Sequence, residues 1–249
     1  MSAAHPTAVI ADAPACVAER VAALDWCGIE LALDARGWAI AGPLLDPAEC
    51  DVLVAGYDDA ALFRSRVVMA RHNFGRGEYQ YFGYPLPGLV EDLRREAYPG
   101  LAAVANRWAE RLDLDVRYPG TLEAMLRRCH RAGQCRPTPL MLRYGAGDYN
   151  CLHQDLYGEC VFPLQLAILL SEPGRDFTGG EIVLTEQRPR MQSRVQVAAL
   201  DQGQAVIFAV NQRPVRGSRG DYRVTMRHGV STVTSGRRHT LGIIFHDAA

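Results

Sequence analysis

The sequence predicts an α+β fold in which N-terminal helices support a double-stranded β-helix, or jelly roll, and three observations lead to it. Apolar residues recur at helical spacing through most of the first 136 of the 249 residues. From Pro139 onward they fall into short β-type runs separated by Gly, Pro and polar turns, the texture of a sandwich or barrel. No internal repeat or low-complexity linker divides the chain, and 48% hydrophobic against 22% charged residues is ample for one large core. Residues 1–249 are therefore expected to form a single domain, with 1–136 as mainly helical support and candidate substrate lid and 137–249 as the jelly-roll core.

Val17, Val21, Leu24, Ile29 and Leu33 predict a helix over 15–36, ending near Gly37. Trp38, Ala39 and Ile40 read as a short strand. Asp46-Pro47-Ala48-Glu49 supplies the N-cap, first-turn proline and capping glutamate of a helix running towards Asp58. Further helical patterns cover 86–96, 99–112 and 122–132. Strands are expected over 140–144, 162–170, 181–185, 195–199, 205–210, 222–230 and 239–245.

No apolar run approaches the roughly 20 residues that cross a bilayer, and Met1 to Pro14 lacks a basic region followed by a hydrophobic stretch. A cytoplasmic, unexported protein is expected. Seven cysteines, at 16, 27, 50, 129, 135, 151 and 160, form no Cys-x-x-Cys pair, so neither a zinc ribbon nor a disulfide framework is indicated. All 27 basic residues are arginine, which codon bias explains as well as function does. Their placement is more informative: residues 1–60 hold ten acids and two arginines, whereas 188–238 hold ten arginines and two aspartates. Two readings stand side by side, a positive face for a polyanionic partner and arginines that pair with the acidic front across the fold.

The chemistry lies in His153-Gln154-Asp155, answered 75 positions later by His228 and then by Arg238 and Thr240. Alternate side chains of a strand share a face, so His-x-Asp sets an imidazole beside a carboxylate. A second histidine from a distant strand completes the facial triad of a non-haem Fe(II) site, which leaves positions open for a cosubstrate and O2. Cys151 shares the His153 face and is a further candidate for approach to the metal, against its ordinary use as a small packed residue. His239 and His246 compete for the third position, but His239 points away from Arg238 and His246 follows the anchor strand. Arg238 and Thr240 share a face and together grip a carboxylate, here the distal one of 2-oxoglutarate, with Tyr144 as a phenolic donor to it. A one-residue change of register would substitute Arg237 for Arg238.

These residues resemble the Fe(II)- and 2-oxoglutarate-dependent dioxygenase superfamily. Tyr144-Gly-x-Gly-x-Tyr149-x-x-x-His153-x-Asp155 and Phe177-Thr-Gly-Gly-Glu181 are similar to the metal strand and the Gly-Gly-Glu turn of its prolyl-hydroxylase branch. That branch usually anchors the carboxylate with lysine, where this chain has Arg238. The stretch from Asn211 through His228 to Asp247 also resembles a bacterial oxygenase family described as oxidatively demethylating damaged DNA. The resemblance implies that His153, Asp155 and His228 hold Fe(II) and that Tyr144, Arg238 and Thr240 bind 2-oxoglutarate. It further implies C–H oxidation by O2 with release of succinate and CO2, most directly the demethylation of alkylated nucleic acid. A peptide (prolyl-type) hydroxylase and a non-catalytic jelly-roll metal-binding module are the alternatives.

Residues 63–84 interleave arginines with Phe63, Phe74, Tyr79, Tyr81, Phe82 and Tyr84, the composition of a lid that stacks a base, or of an aromatic loop packed on the barrel. Arg188, Arg190, Arg194, Arg213, Arg216, Arg219 and Arg223 form either a phosphate track or a solvated face.

Overall fold

The computed structural model describes residues 16–249, so the first position of the 15–36 helix and the reading of Met1 to Pro14 lie outside the described residues. The expected 15–36 helix is two: α1 (Val17–Ala22) and α2 (Trp26–Arg36). Asp25 breaks it by accepting from the Gly28 N–H at 2.9 Å, an N-cap that restarts the helix after a turn. Gly37 ends α2 in the left-handed conformation and leads into β1 (Trp38–Ala41). The capping box at Asp46 and Glu49 starts α3 (Pro47–Ala55), and a 3-10 turn then reaches Asp58. The supposed lid is instead β2 (Phe63–Val68), β3 (Gly75–Arg76) and β4 (Glu78–Phe82), built into the sheets.

Helix α4 (Gly88–Arg111) corrects a second expectation, because it runs unbroken through Pro99 where the sequence predicts separate helices over 86–96 and 99–112. An interior proline costs about 3 kcal/mol. Leu93, Tyr98, Leu101, Val104 and Trp108 are buried along one continuous face, and each contributes about 1.5–3 kcal/mol, so packing wins. Gly100 belongs to the same contact, since a Cβ there would meet the Trp26 indole at 2.6 Å. Helix α5 (Leu122–Arg131) follows the predicted 122–132.

The C-terminal half comprises β5 (Leu140–Gly145), β6 (Tyr149–His153), β7 (Leu164–Leu169), β8 (Phe177–Gly179), β9 (Ile182–Gln187), β10 (Arg194–Ala198), β11 (Ala205–Ala209), β12 (Gln212–Gly217), β13 (Gly220–Val230) and β14 (Val233–Ile244). Among the described residues the larger sheet runs β1-β11-β7-β14-β5-β4-β2, with β8 on β14, and the smaller runs β10-β9-β13-β6-β3, with β12 on β13. All these strand pairs are antiparallel, as a jelly roll requires.

The larger sheet is buried on both faces. Leu164, Leu166, Ile168, Leu241 and Ile243 pack with the helices, while Leu169, Val206 and Phe208 face the smaller sheet with Ile182 and Leu184. No helix of the described residues is long and apolar enough to cross a membrane.

The C-terminal strand is tied down by charge. Arg94 pairs with Asp247 at 2.9 Å, both almost wholly buried, and its Nε donates to the Ile244 carbonyl. Tyr84 donates to the same carboxylate, and His130 Nε2 lies 2.9 Å from it. Replacing Arg94 by Met strands a buried carboxylate and should cost about 3–5 kcal/mol in urea denaturation, and Arg94→Met with Asp247→Asn should recover much of that loss.

Candidate active site

Strands β6 and β13 place His153 and His228 directly opposite each other on the inner face of the smaller sheet, their ring centroids 4.2 Å apart. Asp155 joins them by a different route from the one expected. Strand β6 ends at His153, so the carboxylate arrives on the segment beyond it, which Gln154 ties to the Met226 carbonyl at 2.8 Å and to Asn211 at 2.7 Å. Asp155 Oδ1 lies 3.4 Å from His153 Nε2, and Oδ2 lies 3.3 Å from His228 Nε2. The three donor atoms fall within 4.8 Å of one another, a set that suits one divalent ion with a side left open.

The hydrogen bonding at His153 turns its free nitrogen to the cluster. His153 Nδ1 sits 2.8 Å from the Cys151 carbonyl, which only accepts, so the neutral ring carries its proton there and turns the Nε2 lone pair to the site. Burial pushes the His228 imidazole below its ordinary value, against the pull of Asp155. Burial opposes the His153 charge as well, yet the Asp155 carboxylate and the Cys151 carbonyl outweigh it and leave that group raised. Burial would raise Asp155, but hydrogen bonds and charge from both imidazoles hold its carboxyl well below the usual range.

On the facing sheet stands a second set. Arg238 pairs across β14 and β5 with Tyr144, and its Nη1 donates to Thr240, which shares its face. The guanidinium is 2% exposed and has no carboxylate partner among the described residues. Burial brings it down to about 10, so it remains charged at neutral pH. Its Nε and the Tyr144 hydroxyl are both buried without a partner. A buried cation with its Nε unpartnered and a stranded hydroxyl beside it fit the distal carboxylate of a keto-diacid.

Other candidates fall elsewhere. Arg237 is exposed. His239 points to the opposite side of β14, edge-on to Tyr57 at 5.6 Å. His246 lies beyond β14, and its Nδ1 accepts from the Phe162 N–H. Cys151 lines the cavity but its sulfur is not part of the donor cluster. Sequence reasoning missed Tyr157 and Gln165, which both bond Asp155. Gln165 did leave a signal, as a lone polar residue inside the apolar run Leu164–Leu169.

All six residues singled out in the sequence line one cavity of about 340 Å³, together with Phe74, Tyr79 and Tyr81 from the β2–β4 region. The Gly-Gly turn makes room for its basic end: Gly180 has φ +66°, and a Cβ there would meet Arg238 Cδ at 2.9 Å and Val233 at 2.8 Å. Gly180→Ala should therefore destabilise the fold by about 1–3 kcal/mol in chemical denaturation, through crowding and the left-handed backbone together.

Comparison with known proteins agrees with this geometry. Residues 77–248 match the model of a family described as an oxygenase catalysing oxidative methylation of damaged DNA. Two uncharacterized proteins of Mycobacterium tuberculosis, MT2286 of strain CDC 1551 / Oshkosh and Rv2227 of strain H37Rv, are each 51% identical over 168 residues, 68% of this chain and 72% of theirs. An oxidoreductase of the 2OG-Fe(II) oxygenase family from Burkholderia pseudomallei shares the fold with a TM-score of 0.53 at 16% identity, over 90% of this chain and 93% of that one. A prolyl 4-hydroxylase of Phytophthora capsici does so with a TM-score of 0.51 at 14% identity, over 91% of this chain and 62% of that one. The chain belongs to the matched oxygenase family and is therefore an oxidoreductase that consumes O2.

Proposed function

We propose that His153, Asp155 and His228 hold the Fe(II), that Arg238, Thr240 and Tyr144 seat 2-oxoglutarate, and that the substrate is alkylated nucleic acid, DNA above all. Bound iron and cosubstrate supply oxidation of a substrate C–H bond, with 2-oxoglutarate leaving as succinate and CO2. A methyl group on nitrogen, once hydroxylated, separates as formaldehyde, so the outcome is demethylation. The chain's own part is to orient the cosubstrate by its far carboxylate and to present the target carbon.

The observation that carries the substrate reading is the turn at the cavity mouth. Phe74 lines the cavity, is 47% exposed and stacks on His72 with centroids 5.3 Å apart. Asn73 beside it has φ +59°, and the Phe74 carbonyl accepts from the Cys151 N–H, which fixes the turn to the His153 strand. Arg71 and Arg76 flank this aromatic pair, both exposed and without a carboxylate partner among the described residues. An aromatic face between two free guanidiniums suits a base with its neighbouring phosphates. Arg64 and Arg66 of the same region are committed within the fold, to the Pro137 carbonyl and to Glu78.

The basic back divides in the same way. Arg213 is buried against Glu186 and the carbonyls of Asp34 and Ala35, and Arg188 also pairs with Glu186. Arg216, Arg223 and Arg227 stay exposed without an ion pair among the described residues, which leaves them free for phosphate. Cytoplasmic action in a single 1–249 domain completes the reading, in keeping with seven free cysteines.

Succinate release is the direct test. Wild-type protein should turn over 2-oxoglutarate with Fe(II) and release formaldehyde from methylated oligonucleotides, while proline-containing peptides give none. Peptide-dependent turnover without response to DNA would select a hydroxylase instead. His153→Ala and Asp155→Ala should fall to background, and Arg238→Ala should raise the 2-oxoglutarate KM about 10- to 100-fold through its lost charged hydrogen bonds. Arg71→Gln with Arg76→Gln should flatten the salt dependence of single-strand binding by about 0.7 in log–log slope per contact.

A further inference from the structure

Asp155 reaches the cavity on a segment that has left the sheet, so no strand pairing fixes where its carboxylate points. Two side chains do that instead. The Tyr157 hydroxyl donates to Oδ1 at 2.8 Å, and Gln165 Nε2 donates to Oδ2 at 2.9 Å. An ionised carboxylate only accepts, which sets the Gln165 amide with its N–H towards Asp155. The arms have separate origins. Tyr157 belongs to the same segment as Asp155, whereas Gln165 stands on β7 in the facing sheet. Each carboxylate oxygen thus has one donor behind it and one histidine Nε2 before it, at 3.4 Å for Oδ1 and 3.3 Å for Oδ2.

Packing alone gives no reason for Gln165. It is 4% exposed and its Oε1 has no partner, an arrangement that costs about 1–3 kcal/mol where a leucine would cost nothing. We propose that Tyr157 and Gln165 are positioning residues for metal capture, a two-armed clamp that aims the Asp155 carboxylate at the point where the Nε2 atoms of His153 and His228 converge. The clamp rests on the reading of those three residues as the metal ligands. Partners behind a ligand restrict its swing before the metal arrives, and their loss typically weakens metal binding 10- to 100-fold.

The test titrates the metal-free full chain with Mn(II), reading free ion by electron paramagnetic resonance, and with Co(II), reading the visible d–d spectrum. Tyr157→Phe and Gln165→Leu should each raise the Mn(II) Kd about 10-fold, and together about 100-fold, with altered Co(II) bands. Folded variants with the wild-type Kd and spectrum would overturn the clamp. Tyr157→Phe is isosteric and decides alone if Gln165→Leu does not fold. His153→Ala in the same titration separates the two readings. Unchanged binding there removes the triad assignment itself, whereas lost binding there with unchanged Tyr157→Phe removes only the clamp.

Discussion

The register of β6 against β13 is the constraint on which the site depends. His153 opposite His228 puts two imidazoles on one inner face, and the ladder slips by a bulge immediately beyond, before Val230 meets Asn150. A slip of β6 by one residue would turn the His153 ring outward and leave His228 without its partner, because side chains alternate. On its other edge β13 is locked to β9 through an uninterrupted register from Thr225 to Val230. Gly229 allows β6 to come close at the bulge, since a Cβ there would meet the Asn150 carbonyl at 2.7 Å.

The two sheets contribute opposite electrostatics to one cavity. The smaller sheet brings the imidazoles and the segment after β6 brings Asp155, whose carboxyl is held well below the usual range. The larger brings Arg238, a buried cation with no carboxylate of its own among the described residues. A carboxylate ligand would meet the Arg238 guanidinium, so that side of the cavity is polarised for an anion before it enters. Charge elsewhere is spent on architecture: Arg111 meets Asp34 and Asp221, Arg107 meets Glu30, and Arg20 meets Glu49.

What the sequence revealed follows the reach of local pattern. His153, Asp155, His228 and Arg238 were legible because each is a polar group in a β-type apolar context, with spacing that assigns a face. Asp155 joins the two histidines as expected but by another route: alternation assumes that the strand continues, and β6 stops at His153. Strands β2 to β4 were hidden because aromatic and arginine residues in a loop-like stretch reveal their pairing only once β5 and β6 exist to receive them. Pro99 misled for a related reason, as a local penalty was overridden by burial that a window of sequence does not show.

Strand β14 shows how one sequence serves both a core and a cavity. Its helix-side residues Leu241 and Ile243 are large and apolar, while the cavity side runs Arg238, Thr240, Gly242, falling in size along the strand. Gly242 has no side chain to give, and a Cβ there would meet Leu140 at 2.7 Å. The Leu140 side chain takes up that place, and with Gln165 and Tyr81 it lines the cavity. The strand therefore supplies a guanidinium and a hydroxyl to the cavity at one end and close packing at the other. An anion that enters the cavity is therefore steered to the Arg238 end of β14, across from the sheet that carries His153 and His228.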